Sequence, residues 1–139
     1  MQFTDQLRGD WSAWIDEQDL APIATLRTRT TRGIAGIHVT LPGTDPGKAA
    51  TAVRWLEHLR GVEMSTRTRP GREPVILLHL RGEARAMPVL LTVPYCDLTE
   101  SLEVAVITTH IGLQDPPLLL GALADLAEHH AAGHRKEVA

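Results

Sequence analysis

A single cysteine, Cys96, stands in a chain of 139 residues, which excludes a disulfide framework and a four-cysteine zinc site. Aromatics are almost as scarce. Phe3, Tyr95 and three tryptophans are the whole set, so a core must come mainly from Leu, Val, Ile and Ala. No apolar run approaches the roughly 20 residues that span a bilayer, so no membrane partner is expected. The first ten residues hold acids and no apolar stretch, unlike a secretory leader, and the expectation is a cytoplasmic protein. Asparagine is absent and there are 2 Lys against 12 Arg. Lys and Asn both use AT-rich codons, so composition points to a high-GC bacterial or phage genome.

What is present suffices for one folded unit. The 43 % of hydrophobic residues is too much for a disordered chain, and the length suits a single domain over residues 1–139 with a frayed tail at 133–139. The formal charge of −3 is unevenly placed. Residues 1–26 sum to −4, residues 27–85 to +6 and residues 86–139 to −5. A basic middle between acidic ends is either a basic surface or a set of charges that pair within the fold.

Hydrophobic periodicity orders the elements. Leu7, Trp11, Trp14 and Ile15 form a helical stripe between Thr4, a candidate N-cap, and Asp19. Residues 23–30 and 34–41 alternate as strands around a turn at Arg32-Gly33. Asp45-Pro46 marks a helix start, with the helix reaching about Arg60 and Gly61 fitting the left-handed position beyond it. Four further strands are expected at 62–69, 75–81, 86–93 and 102–109, with turns at Pro70-Gly71 and Gly82-Glu83. Asp115-Pro116 opens a last helix. Clustered strands favour α+β over a doubly wound fold. The expected architecture is two-layer, a mostly antiparallel five- or six-stranded sheet with helices packed on one face. Leu26, Ile37, Val39, Val62 and Met64 would lie on the buried side. The 75–93 hairpin, apolar on both sides in part, would be central or doubly covered.

Most candidate sites resolve into ordinary structure. Gly43 to Ala49 sits where a phosphate loop belongs, yet its spacing is one residue short, Ala49 replaces the hydroxyl and Asp45 would repel phosphate. Acids surround Cys96, a poor setting for a nucleophilic thiolate, so a structural cysteine is expected. His130 and His134 share helical spacing but Gly133 intervenes, and no metal or cofactor is expected.

The most coherent constellation is a polar sheet face. Strand parity groups Arg27 with Arg29, His38 with Thr40, Ser65 with Arg67 and Arg69, and His79 with Arg81. If the four sets align, one side of the sheet is a field of Arg, His and Thr. Guanidinium forks suit phosphate or carboxylate. The plainer readings are a solvated sheet face, or arginines that pair with the acidic ends. No aromatic joins the face to stack bases, and a pI near 6.1 is low for a duplex reader, so nucleic acid is not favoured.

Three functions remain. The leading expectation is a non-enzymatic protein-interaction module of accessory, adaptor or chaperone-like kind, forming homodimers. The second is a nucleic-acid or anionic-ligand binder using the arginine face. The third is a small enzyme with His38 or His79 as base in a pocket between the sheet and the last helix.

Overall fold

The computed structural model describes residues 2–69 and 75–138; the turn expected at Pro70-Gly71 lies outside them. The elements follow in the order α1 (Gln2–Glu17), β1 (Thr25–Thr31), β2 (Ile34–Thr40), α2 (Lys48–Leu56), β3 (Arg60–Arg69), β4 (Val75–Ala84), β5 (Met87–Tyr95), α3 (Leu98–Ile111) and α4 (Pro116–Val138). The strands form one five-stranded sheet in the order β1-β2-β5-β4-β3. Three ladders are antiparallel, and β2 with β5 is parallel. The parallel ladder follows from connectivity, because a helix and two strands separate the paired segments and bring the chain back in the same direction.

Alternation along the strands divides the sheet into two faces. Ile37, Val39, Leu78, Leu80, Val89, Leu91 and Val93 are buried and join one core with Trp11 and Ile15 of α1, Trp55 of α2, Val104 of α3 and Leu119 and Leu120 of α4. All four helices therefore cover one face. Leu26, Val62 and Met64 pack against this core but remain partly exposed, because β1 and β3 are the edges. Burying a Leu or Val fully stabilises the fold by about 1.5–3 kcal/mol relative to leaving it in water, so this layer fixes which face points inward. Trp55 anchors the helices as well. Its Nε1–H donates to the Leu20 carbonyl at 3.1 Å, tying α2 to the segment after α1.

Several local expectations are corrected. Residues 102–109 are helical, within α3, and not a strand. Val104, Val106, Ile107, Thr108 and Thr109 are β-branched and invite a strand reading, but Asp97 caps the segment by accepting the Glu100 N–H at 3.2 Å. Asp97-Leu98-Thr99-Glu100 is a capping-box spacing that commits the backbone to a helix. The helix at Asp45-Pro46 starts later, with Gly47 as N-cap, because Asp45 forms a turn in which its Oδ1 accepts the Gly47 N–H. It also ends at Leu56 instead of about Arg60. Gly61 does adopt a left-handed φ of 60°, but at the irregular start of β3.

The turn expected at Gly82-Glu83 lies at Arg85-Ala86. Both of these residues have positive φ, as a two-residue hairpin turn requires. Gly82 is needed inside the strand, since a Cβ there would sit 3.1 Å from the Arg60 carbonyl oxygen. The first helix begins at Gln2, so Thr4 lies within it and does not cap it. Asp115 accepts the Leu118 N–H at 3.2 Å at the head of α4, whose backbone stays helical through Gly133 to Val138. No helix among the described residues is long and apolar enough to cross a membrane.

Candidate functional site: the open face of the sheet

The register aligns the four polar sets. Arg27 stands opposite His38 across β1 and β2, and His38 beside Leu90 of β5. Leu90 pairs with Arg81 of β4, and Thr92 with His79. His79 pairs with Ser65 of β3, and Leu77 with Arg67. Arg27, Arg29, His38, His79, Arg81, Arg67 and Arg69 therefore share the face that the helices leave uncovered. Leu77 and Leu90 give it a half-buried apolar spine, and Arg29 and Arg69 mark its opposite edges.

Its centre is a hydrogen-bonded group from three strands. Thr92, 4 % exposed, sits between the two histidines. Its Oγ1 lies 3.1 Å from His38 Nε2 and 3.1 Å from His79 Nδ1. Burial holds the His38 imidazole below the usual histidine range, with Arg29, Arg27 and Arg81 acting in the same direction. Burial also lowers His79, reinforced by His38, Arg81, Arg67 and Arg69. Each ring is thus kept neutral by partial loss of water and by a surrounding positive field.

Among the described residues, these arginines form no ion pair with the acidic ends of the chain. The ion pairs among the described residues are Lys48–Glu100 and His130–Glu103. Other arginines are engaged internally. Arg54 donates to the Asp19 and Ala21 carbonyls, and Arg85 lies over the Trp11 ring at 5.2 Å. Arg27, Arg29, Arg67, Arg69 and Arg81 have no such partner among the described residues. Glu63 and Glu83 lie on the same open face as these arginines without forming an ion pair with them among the described residues.

A concavity lies on the helix side of the sheet. A cleft of about 760 Å³ opens between the start of α2, the end of β5, α3 and α4. Lys48, 3 % exposed, spans it. Its ammonium donates to the Gly43 carbonyl and, at 2.9 Å, to Glu100 Oε1, and lies 4.3 Å from the centre of the Tyr95 ring. The Tyr95 hydroxyl is buried without a hydrogen-bond partner, and burial together with Glu100 raises its pKa, so it stays protonated.

A pocket between the sheet and the last helix was expected, but Lys48, Tyr95 and Glu100 line it in place of His38 or His79. It is poorly equipped for nucleophilic chemistry. Lys48 is tied into the Glu100 pair, and no histidine is hydrogen-bonded to Cys96 among the described residues. Cys96 itself is exposed, not buried as a structural cysteine would be. His38 and His79, the expected bases, lie on the opposite face of the sheet and do not reach the cleft.

His130 Nε2 lies 2.8 Å from Glu103 Oε2, the side chain of His134 is outside the described residues, and no cluster of three metal-ligating side chains occurs among those described. Thr92 is the site residue that parity alone passed over; a threonine in a strand reads as a strand former. In comparisons with known proteins the chain matches no family model, no curated protein and no solved structure.

Proposed function

We propose that this chain is a small non-enzymatic protein-interaction module that holds an acidic segment of a partner protein on the open face of its sheet. The observation that supports this most is the set of five arginines, Arg27, Arg29, Arg67, Arg69 and Arg81, on one helix-free face with no ion-pair partner among the described residues. Guanidinium groups left unneutralised are matched by carboxylates, and the apolar spine of Leu77 and Leu90 gives such a segment something to bury. The face lacks the aromatic platforms that single-stranded nucleic acid uses.

The test is fluorescence anisotropy with a labelled oligo-glutamate peptide, run against a single-stranded oligonucleotide of equal charge. The Arg27→Ala/Arg67→Ala double variant should weaken peptide binding at least tenfold without lowering the melting temperature, and wild-type affinity should fall steeply with salt. Unchanged affinity in the double variant would refute the reading. Tighter binding of the oligonucleotide would replace the acidic partner with nucleic acid.

The module also self-associates in this reading, through α3. Leu98, Leu102 and Val106, spaced four residues apart, are 51 %, 58 % and 69 % exposed, and α3 is apolar on its buried side as well. An apolar stripe exposed on a helix that also packs into the core on its other side is the kind of surface that partners cover. The stripe is uncharged, so a second copy of itself matches it where a charged partner would not. An antiparallel α3–α3 crossing would be isologous, each stripe covering the other.

A further inference from the structure

We infer that His38, Thr92 and His79 form a carboxylate site that takes up a single proton with each ligand it binds. The inference rests on the acidic-segment reading above and adds the chemistry at its centre.

The argument is one of hydrogen counting. Thr92 Oγ1 lies within hydrogen-bond distance of one nitrogen of each ring. A hydroxyl donates once, so with both rings neutral and its proton directed at one imidazole it accepts from the other. If His38 Nε2–H donates to Thr92, then Thr92 donates to His79 Nδ1. The outer nitrogens are then a bare acceptor on His38 and an N–H donor on His79. Turning the hydroxyl reverses both. In either of these arrangements the neutral group presents one donor and one acceptor, and one of the two would face a carboxylate lone pair to lone pair.

One added proton removes that conflict. The ring whose inner N–H already donates to Thr92 gains a proton on its outer nitrogen. The other ring keeps its own outer N–H. Both outer nitrogens now donate, the threonine hydroxyl still donates and accepts, and the single positive charge meets a single negative one. A second proton would put two imidazolium ions on one hydroxyl in a field of arginines, and is disfavoured.

The other groups on this face set the background. β1 contributes Arg27 and Arg29, β4 contributes Arg81 and Glu83, and β3 contributes Arg60, Glu63, Arg67 and Arg69; β5 contributes no charge to it. Burial, aided by the arginines, lowers both histidines, and the arginines draw the anion in. The bound carboxylate then offsets their effect on the rings, so ligand and proton arrive together.

Binding of the labelled oligo-glutamate peptide, followed at constant ionic strength between pH 6 and 8, tests this. Glutamate side chains, with an ordinary pKa near 4.3, stay ionised throughout. Affinity should weaken by about tenfold per pH unit in the steep part of this range, the slope of one proton. In the His38→Gln/His79→Gln variant the slope should vanish, leaving whatever binding the arginines supply independent of pH across this range. Histidine-selective ¹⁵N NMR at pH 7 with added acetate supplies a second readout, in which both imidazoles should shift toward the protonated form.

The failures are distinguishable. A peptide that binds with pH-independent affinity, or with a hundredfold slope per unit, overturns the one-proton site and leaves the acidic-segment reading standing. No peptide binding at low salt overturns that reading. If acetate then still moves both imidazoles the site stands alone, and if it moves neither the site falls too.

Discussion

The Lys48–Glu100 pair offers a sharp test of the electrostatics inside the helix layer. Lys48 is almost fully buried at 3 % exposure, whereas Glu100 is 41 % exposed, so the two partners are not equivalent. Replacing Glu100 by Ala leaves a buried ammonium with the Gly43 carbonyl and the Tyr95 ring as its remaining partners. Breaking a fully buried pair in this way costs about 3–5 kcal/mol. Water reaching the half-exposed Glu100 position replaces part of the lost attraction, which brings the expected cost to about 2 kcal/mol.

Replacing Lys48 by Met removes the charge that had to be desolvated, keeps a flexible stem of similar length and leaves Glu100 free to hydrate. That variant should lie within about 1 kcal/mol of wild type. Equilibrium urea unfolding followed by tryptophan fluorescence measures all three proteins and the double variant, since Trp11 and Trp55 are buried reporters. The decisive quantity is the order of the two single variants. If Lys48→Met is the more destabilising, the ammonium contributes net stability and the argument from burial is wrong.

Two further expectations concern the open face and α3. His38 and His79 have lowered pKa values in the folded state, so below their unfolded value of 6.5 the unfolded chain binds more protons than the native one. The melting temperature should therefore fall as pH drops from about 7.5 to 5.5, and His38→Gln/His79→Gln should flatten that window; an equal fall in the variant would assign the effect elsewhere. Leu102→Glu with Val106→Glu should leave the melting temperature nearly unchanged, because both positions are exposed, while light scattering shows a shift from a dimer to the 15.2 kDa chain. A wild-type protein that already scatters as a single chain at high concentration would end the α3 proposal.

How much of this was legible in the sequence depended on the range of the interaction. Strand parity is local, so Arg27 with Arg29 and Arg67 with Arg69 could be grouped from alternation alone. That all four sets fall on one face needed the pairing of β2 with β5, a long-range contact between Ile37 and Val89 that no local pattern encodes. The segment 102–109 was misread because β-branched residues dominate it, although Asp97 and Glu100 held the helix signal just upstream. Gly82 looked like a turn residue because glycine marks both turns and tight packing, and here it makes room for β3. The lining of the cleft between the sheet and the last helix could not be read, since Lys48, Tyr95 and Glu100 meet only once α2, β5 and α3 are assembled.

The parallel ladder between β2 and β5 has one more consequence. The β1–β2 hairpin and the β3–β4–β5 meander are each built from contacts close in sequence and can form quickly; their union closes a long loop and comes late. His38 belongs to one half and His79 with Thr92 to the other, so the hydrogen-bonded group straddles the weld. A ligand gripped by both histidines would act as a rivet across it. Its affinity would be indistinguishable from added resistance of the weld to opening, and amide exchange along residues 37–40 and 89–92 would slow when the face is occupied.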